Sequence, residues 1–187
     1  MADTTEWGFP KGRVAQTLRK ILSPDATDHE VEAIFVCLTN HLLIERKLNG
    51  LLYRWLKQDA PKPAEAELAS KCDDALWNSI VKLTFATKYS LVEPFFAAHF
   101  PNGAPNVKKI NTLRNDIAHG RAGDAKFEGQ PISEEETVEK IFLAAQFVSM
   151  QLDDFEEMID RPHALAELWR KRLTDLGEPL LGSLGKE

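Results

Sequence analysis

Residues 27–58 read TDHEVEAIFVCLTNHLLIERKLNGLLYRWLKQ, and this stretch decides the fold. Thr27 with Glu30 three residues later is a capping box, in which each side chain satisfies the other residue's backbone N–H at a helix start. Val31, Ile34, Phe35, Leu38, Leu42, Leu48, Leu52 and Trp55 then recur at helical spacing, and Pro61 and Pro63 close the run. The pattern predicts one long helix to about Gln58. Its apolar face is wide enough for a central position in a helical bundle.

The same periodicity continues on both sides. Val14, Leu18 and Ile21 mark a first helix over 11–22, stopped by Pro24. Residues 64–70 add a turn or two. A helix follows over 73–89 with Leu76, Trp77, Ile80, Leu83 and Phe85 facing inward, and Pro94 suits the first position of a short helix through Phe100. Pro105 or Asn106 opens a helix that Gly120 ends. A glycine-bearing loop runs from Gly120 to Pro131, long enough to suggest function or mobility. Ser133 with Glu136 forms a second capping box, and Val138, Ile141, Phe142, Ala145, Val148 and Leu152 carry that helix to about Ile159. A last helix follows Pro162, with Leu165, Leu168, Trp169 and Leu173 on one face. No segment alternates with period two. The expected fold is an all-α, single-domain antiparallel bundle of about six helices over residues 11–176, without a sheet, between flexible ends at 1–10 and 177–187.

With 187 residues the chain is of one-domain size. No apolar run approaches the roughly 20 residues a membrane-spanning helix needs, and the first ten residues lack the features of a secretory signal. A cytoplasmic protein without membrane association is expected. Two cysteines are no disulfide framework, and Cys37 reads as core. The net charge of −6 argues against coating nucleic acid by bulk electrostatics. Charge is unevenly spread, however. Lys108, Lys109, Arg114, Arg121 and Lys126 face only Asp116 and Asp124 in residues 108–126, a local +3. Residues 133–160 hold nine acidic residues against Lys140, a local −8.

The basic stretch contains Leu113-Arg114-Asn115-Asp116-Ile117-Ala118-His119-Gly120. On a helical wheel Val107, Ile110, Leu113 and Ile117 fall within roughly 120° and form the core face. Arg114 sits at one edge of it, and Asn111, Asn115 and His119 fan away. Arg114 and His119 are about 140° apart and about 7.5 Å along the axis, so they share no face. A long arginine can bend across Ala118, and Asn115 and His119 are i, i+4 neighbours. Histidine is the usual proton carrier near neutrality. Arginine offers rigid donors to a phosphate whose charge spreads over several oxygens. RNA can be cut without metal by activating its own 2′-hydroxyl. That needs a proton acceptor, a proton donor and positive charge for the developing phosphorane. One helix supplies one histidine; two, across a two-fold axis, supply both proton carriers.

The hexapeptide Arg114-Asn115-Asp116-Ile117-Ala118-His119 resembles the R-x4-6-H signature of the HEPN superfamily, and residues 27–159 are similar to its bundle in order of helices. That resemblance implies a homodimeric, metal-independent endoribonuclease of the toxin–antitoxin or phage-defence kind. Arg114 would stabilise phosphate, Asn115 would orient, and His119 would be the acid/base. Lys108, Lys109, Asn111 and Arg121 would contact RNA. No metal or cofactor is expected; the resemblance leaves room for a protein antitoxin or regulatory partner, which the sequence does not specify. Arg121 stands where some family toxins carry a modifiable tyrosine. The superfamily also holds members that bind nucleic acid or protein without cutting, and a non-catalytic regulator or immunity protein is the alternative. Elsewhere, His41 and Glu45 read as a polar seam facing another helix or a dimer partner, with a metal site as the competing reading. His99 reads as partly buried core, and His163 with Glu167 as an exposed face.

Overall fold

The computed structural model describes residues 16–17, 19–20, 25–59 and 63–159. The expected ends at 1–10 and 177–187, the helix after Pro162 and most of the helix over 11–22 lie outside them; residues 16–17 and 19–20 are helical. The capping box forms as read: Thr27 N–H donates to Glu30 Oε2 at 2.6 Å and Glu30 N–H to Thr27 Oγ1 at 3.2 Å. It opens α1, Asp28–Asp59, which carries the centre of the molecule. Around it stand α2 (Ala66–Lys82), α3 (Phe85–His99), α4 (Gly103–Ala118) and α5 (Glu135–Ile159). The chain is an all-α bundle.

One core runs through these helices. Ile34, Cys37, Ile44, Leu48 and Leu52 of α1 are buried against Ile141, Ala145, Val148, Leu152 and Phe155 of α5. Burying each such side chain is worth about 1.5–3 kcal/mol. Trp55 meets Phe95 edge-on at 4.8 Å, and Phe96, Phe100 and Phe155 close one end of the core. His99 lies among these rings and bonds through Nδ1 to the Phe95 carbonyl, as a partly buried core residue.

Successive helices alternate in direction, as expected of an antiparallel bundle, so every second helix runs parallel. Asn40 meets Gln146, Lys47 meets Asp153 and Arg54 meets Glu156, so α1 and α5 run parallel. His41 with Phe85, Glu45 with Lys88 and Trp55 with Phe95 make α3 parallel to α1 as well. α2 and α4 run back the other way: α2 pairs Lys57 with Asp73 and Tyr53 with Trp77, and α4 starts with Gly103 against Gln151 late in α5 and brings Ile110 to Cys37 early in α1.

Element boundaries shift where a cap outranks the apolar pattern. The predicted helix over 73–89 is two helices. Leu83 and Thr84 are extended, and Thr84 Oγ1 accepts from Thr87 N–H at 3.2 Å to start α3 afresh. Pro94 therefore falls inside α3 rather than at a helix start. Pro94 offers no N–H to the Ser90 carbonyl four residues back, which is tolerable because both residues are exposed. The motif helix begins at Gly103, with Pro105 in its first turn, where no N–H is missed. The capping box expected at Ser133 does not form among the described residues; α5 starts at Glu135, and the Glu134 carbonyl accepts from Thr137 and Val138. Leu42, expected in the core, is 66% exposed, and Trp77 is also exposed.

The predicted loop is not structureless, and a sheet exists after all. A 3-10 turn at Ala122–Asp124 leads into a hairpin pairing Lys126 with Pro131 and Phe127 with Gln130. Glu128 and Gly129 at its tip both have positive φ, 53° and 83°, as a two-residue turn of this hand requires. The hairpin turns Phe127 inward, and with Ala125 and Ile132 it seals the core beside the end of the motif helix.

Candidate functional site

The motif helix is anchored by Val107, Ile110 and Leu113, all buried. Its last turn projects past that anchor, so Arg114, Asn115, Asp116 and Ile117 are half-buried and Ala118, His119 and Gly120 exposed. The helix ends in a Schellman motif. Gly120 takes φ 73°, its N–H reaches the Ile117 carbonyl at 3.1 Å, and Arg121 N–H reaches the Asp116 carbonyl at 2.9 Å. The Arg121 side chain returns to the same residue, pairing with Asp116 Oδ1 at 2.6 Å. His119 is the C-cap. Its position is thereby set by the backbone, while its imidazole is left in solvent.

Arg114 Nη1 donates to Asn115 Oδ1 at 3.1 Å. Asn115 in turn accepts the His119 N–H on its backbone carbonyl at 3.0 Å. The structure thus joins Arg114 to Asn115 and seats His119 one turn on; it records no bond between the Arg114 and His119 side chains. The guanidinium leans toward Asn115, the side on which His119 also lies. Arg114 has no carboxylate partner among the described residues.

The other candidate contacts to RNA are already engaged within the chain. Lys108 pairs with Glu93 at 2.5 Å, Lys109 with Glu128 at 2.5 Å, and Arg121 with Asp116. The local excess of positive charge in the sequence is therefore largely offset by carboxylates brought from α3 and the hairpin. Asn111 Oδ1 lies 3.3 Å from His41 Nε2, which joins the motif helix to α1.

That contact opens a buried polar seam. The His41 ring is only 5% exposed and packs on Phe85 with centroids 4.2 Å apart. Burial holds its pKa below the usual histidine value, and the positive charge of Arg114 acts in the same direction. The Asn111 bond and the charge of Glu45 oppose them. One turn along α1, Glu45 Oε1 pairs with Lys88 Nζ at 2.7 Å, and Lys88, 1% exposed, donates also toward the Val81 carbonyl at 3.4 Å. Cys37, across from Ile110, is sealed in the core, and burial pushes its thiol up to about 12. Arg114 partly counters that rise, so its charge is felt on this side of α1.

The sequence reading placed His41 and Glu45 in a polar seam against another helix, which is where they lie. It missed Lys88. The signal was present: Phe85, Lys88, Tyr89, Val92 and Phe96 follow helical spacing, and a lysine on such a stripe must be paired or reach out to water. Among the described residues no group of three or more His, Cys, Asp and Glu side chains gathers as a metal site would require, and no helix is long and apolar enough to cross a membrane. No protein-family model, curated protein or solved structure matches the chain.

Proposed function

We propose that the protein is an endoribonuclease of HEPN type acting as a homodimer, with Arg114, Asn115 and His119 of each chain at a shared site. The observation that carries this reading is an arginine with no carboxylate partner among the described residues, five residues before an exposed histidine at the end of the same helix, in a stretch where Lys108, Lys109 and Arg121 are all paired. A guanidinium held by a carboxamide rather than a carboxylate keeps its full charge and most of its donors for an incoming anion. An imidazole fixed by its backbone and open to solvent can exchange protons with a substrate.

In the proposed reaction, His119 of one protomer takes the proton from a ribose 2′-hydroxyl. The 2′-oxygen attacks the adjacent phosphorus, and the P–O5′ bond breaks. His119 of the other protomer protonates the departing 5′-oxygen. The products are a 2′,3′-cyclic phosphate and a 5′-hydroxyl, and the arginines stabilise the charge on the pentacoordinate phosphorus. Asn115 fixes where Arg114 points.

The test is cleavage of single-stranded RNA in EDTA. His119→Ala should lower the rate by on the order of 10²–10⁴ with unchanged circular dichroism. An unchanged rate would remove the mechanism. A second reading has its own support: the pairing of Lys108, Lys109 and Arg121 leaves little free positive surface, and residues 133–160 are strongly acidic. On that reading the chain is a non-catalytic regulator that docks a basic protein partner. It predicts a stable complex and no RNA product.

A further inference from the structure

We infer that His41 is a positioning residue for Arg114: stacked on Phe85 and bonded to Asn111, it ties the motif helix to α1 and sets the side from which the guanidinium is presented. This rests on the reading of Arg114 as the anion-facing arm of the site.

The geometry begins one turn before the motif. Asn111 and Arg114 are separated by three residues, so they are neighbours on the surface of α4. A tether at Asn111 therefore constrains the rotation of the helix about its own axis at the level of Arg114. The core side chains of Val107, Ile110 and Leu113 fix the depth of the helix but bind it only through non-directional contacts. Two directional contacts join α1 to this stretch: a long bond from the Cys37 thiol to the Ile110 carbonyl at 3.9 Å, which holds the backbone, and the His41–Asn111 bond, which joins side chain to side chain. His41 is itself held on two sides, by the Phe85 ring of α3 and by its 95%-buried place in α1. A mobile tether would position nothing; this one has little freedom.

The charges around His41 make the tether sensitive to its protonation. Three charged groups bear on it: Glu45 on α1, Arg114 on α4 and, through its pairing with Glu45, Lys88 on α3. Lys88 occupies Glu45, so Glu45 is not a free counter-ion for an imidazolium. A proton added to His41 thus meets the repulsion of Arg114 with its natural partner already engaged. The neutral ring leaves Arg114 where Asn115 holds it; the charged ring pushes it away. Burial favours the neutral form.

The experiment uses the full chain and the variants His41→Gln and His41→Phe. Gln retains an N–H donor for Asn111 and does not titrate; Phe retains the stack on Phe85 and loses the bond. The readout is the side-chain Nε–H signal of Arg114 in nitrogen–proton correlation spectra, assigned by its disappearance in Arg114→Lys. In the wild type this signal should move with pH at the midpoint of the His41 ring itself, below 6.5. In His41→Gln the movement should vanish, and in His41→Phe the signal should be displaced at all pH values. Cleavage in EDTA is measured in parallel: kcat should fall on the order of 10- to 100-fold in His41→Phe with KM nearly unchanged, and recover largely in His41→Gln. An Arg114 signal indifferent to both the His41 titration and the His41→Phe change overturns the inference. So does equal kcat in wild type and His41→Phe. Should His41→Phe fail to fold, the loss or persistence of the pH step in His41→Gln decides. A wild-type chain that cuts no RNA, yet shows Arg114 following His41, removes the nuclease reading and leaves the positioning role standing.

Discussion

Removing Glu45 should harm the protein far more than removing the lysine it pairs with, although the pair is one interaction. Lys88 is 1% exposed, with Glu45 Oε1 at 2.7 Å and the Val81 carbonyl at 3.4 Å as its partners. The Glu45 side chain is 28% exposed. Glu45→Ala leaves an ammonium group in the core with only a long bond to a carbonyl. Stranding a buried charge costs about 3–5 kcal/mol. Water admitted through the space Glu45 leaves places this case at the low end, about 3 kcal/mol. Lys88→Met keeps an apolar stem of similar length in the buried position, and Glu45 can turn to solvent; the cost is about 1 kcal/mol or less. For a chain of this size each kcal/mol moves Tm by roughly 2–4 °C. Glu45→Ala should therefore melt roughly 6–12 °C below wild type and Lys88→Met within about 4 °C of it. Urea unfolding followed by tryptophan fluorescence checks the free energies, and the slope of the transition should be the same in all variants. The double variant should be more stable than Glu45→Ala alone, because the stranded charge is gone. If Lys88→Met proves as costly as Glu45→Ala, the asymmetry of burial does not govern the pair and the reasoning fails.

Two further outcomes follow from the same region. Gly120→Ala places a Cβ at φ 73° with no neighbouring atom to hit, so its cost is conformational alone, about 1 kcal/mol in thermal unfolding; a neutral result would mean the helix end is not held in that conformation. The lowered pKa of His41 makes stability depend on pH with a definite sign. The unfolded chain, with histidine near 6.5, binds the proton more readily than the folded one, so stability declines as pH falls below 6.5 toward the folded value and is intact above 6.5. His41→Gln should flatten that part of the stability curve, and a profile unchanged by the substitution would contradict it.

Much of the fold was readable because helical periodicity and caps report on local structure. The Thr27–Glu30 box and Gly120 acted where they stand in the chain. What was not readable depended on competition or on distance. Thr84 divides a continuous apolar pattern because its hydroxyl can satisfy a new helix start, and periodicity alone does not weigh that alternative. The hairpin is two residues per strand, too short for alternation to show, and only Glu128-Gly129 hints at its turn. In the site, the types and spacing of Arg114, Asn115 and His119 were plain. The partners of Lys108, Lys109 and Asn111 lie 15, 19 and 70 residues away, and so were not.

Those distant partners also limit how the proposed nuclease can hold RNA. A protein that binds through many phosphate contacts needs many uncompensated cations, and each neutralised phosphate of a single strand contributes about −0.7 to the slope of log K against log salt. In residues 108–126 only Arg114 and Lys126 lack an ion pair among the described residues. A dimer would then neutralise about two to four phosphates, giving a slope of about −1.4 to −2.8. Net charge of −6 per chain adds repulsion at long range. Ground-state affinity should therefore be weak and only mildly salt-dependent, measurable by titrating a fluorescent oligonucleotide with His119→Ala at several ionic strengths. This is compatible with catalysis, because interactions that act on the transition state raise the rate and uniform binding does not. A guanidinium aimed at one phosphate is suited to the former. A much steeper slope would mean that the pairs with Glu93, Glu128 and Asp116 open to RNA. Lys108, Lys109 and Arg121 would then be binding residues rather than structural ones.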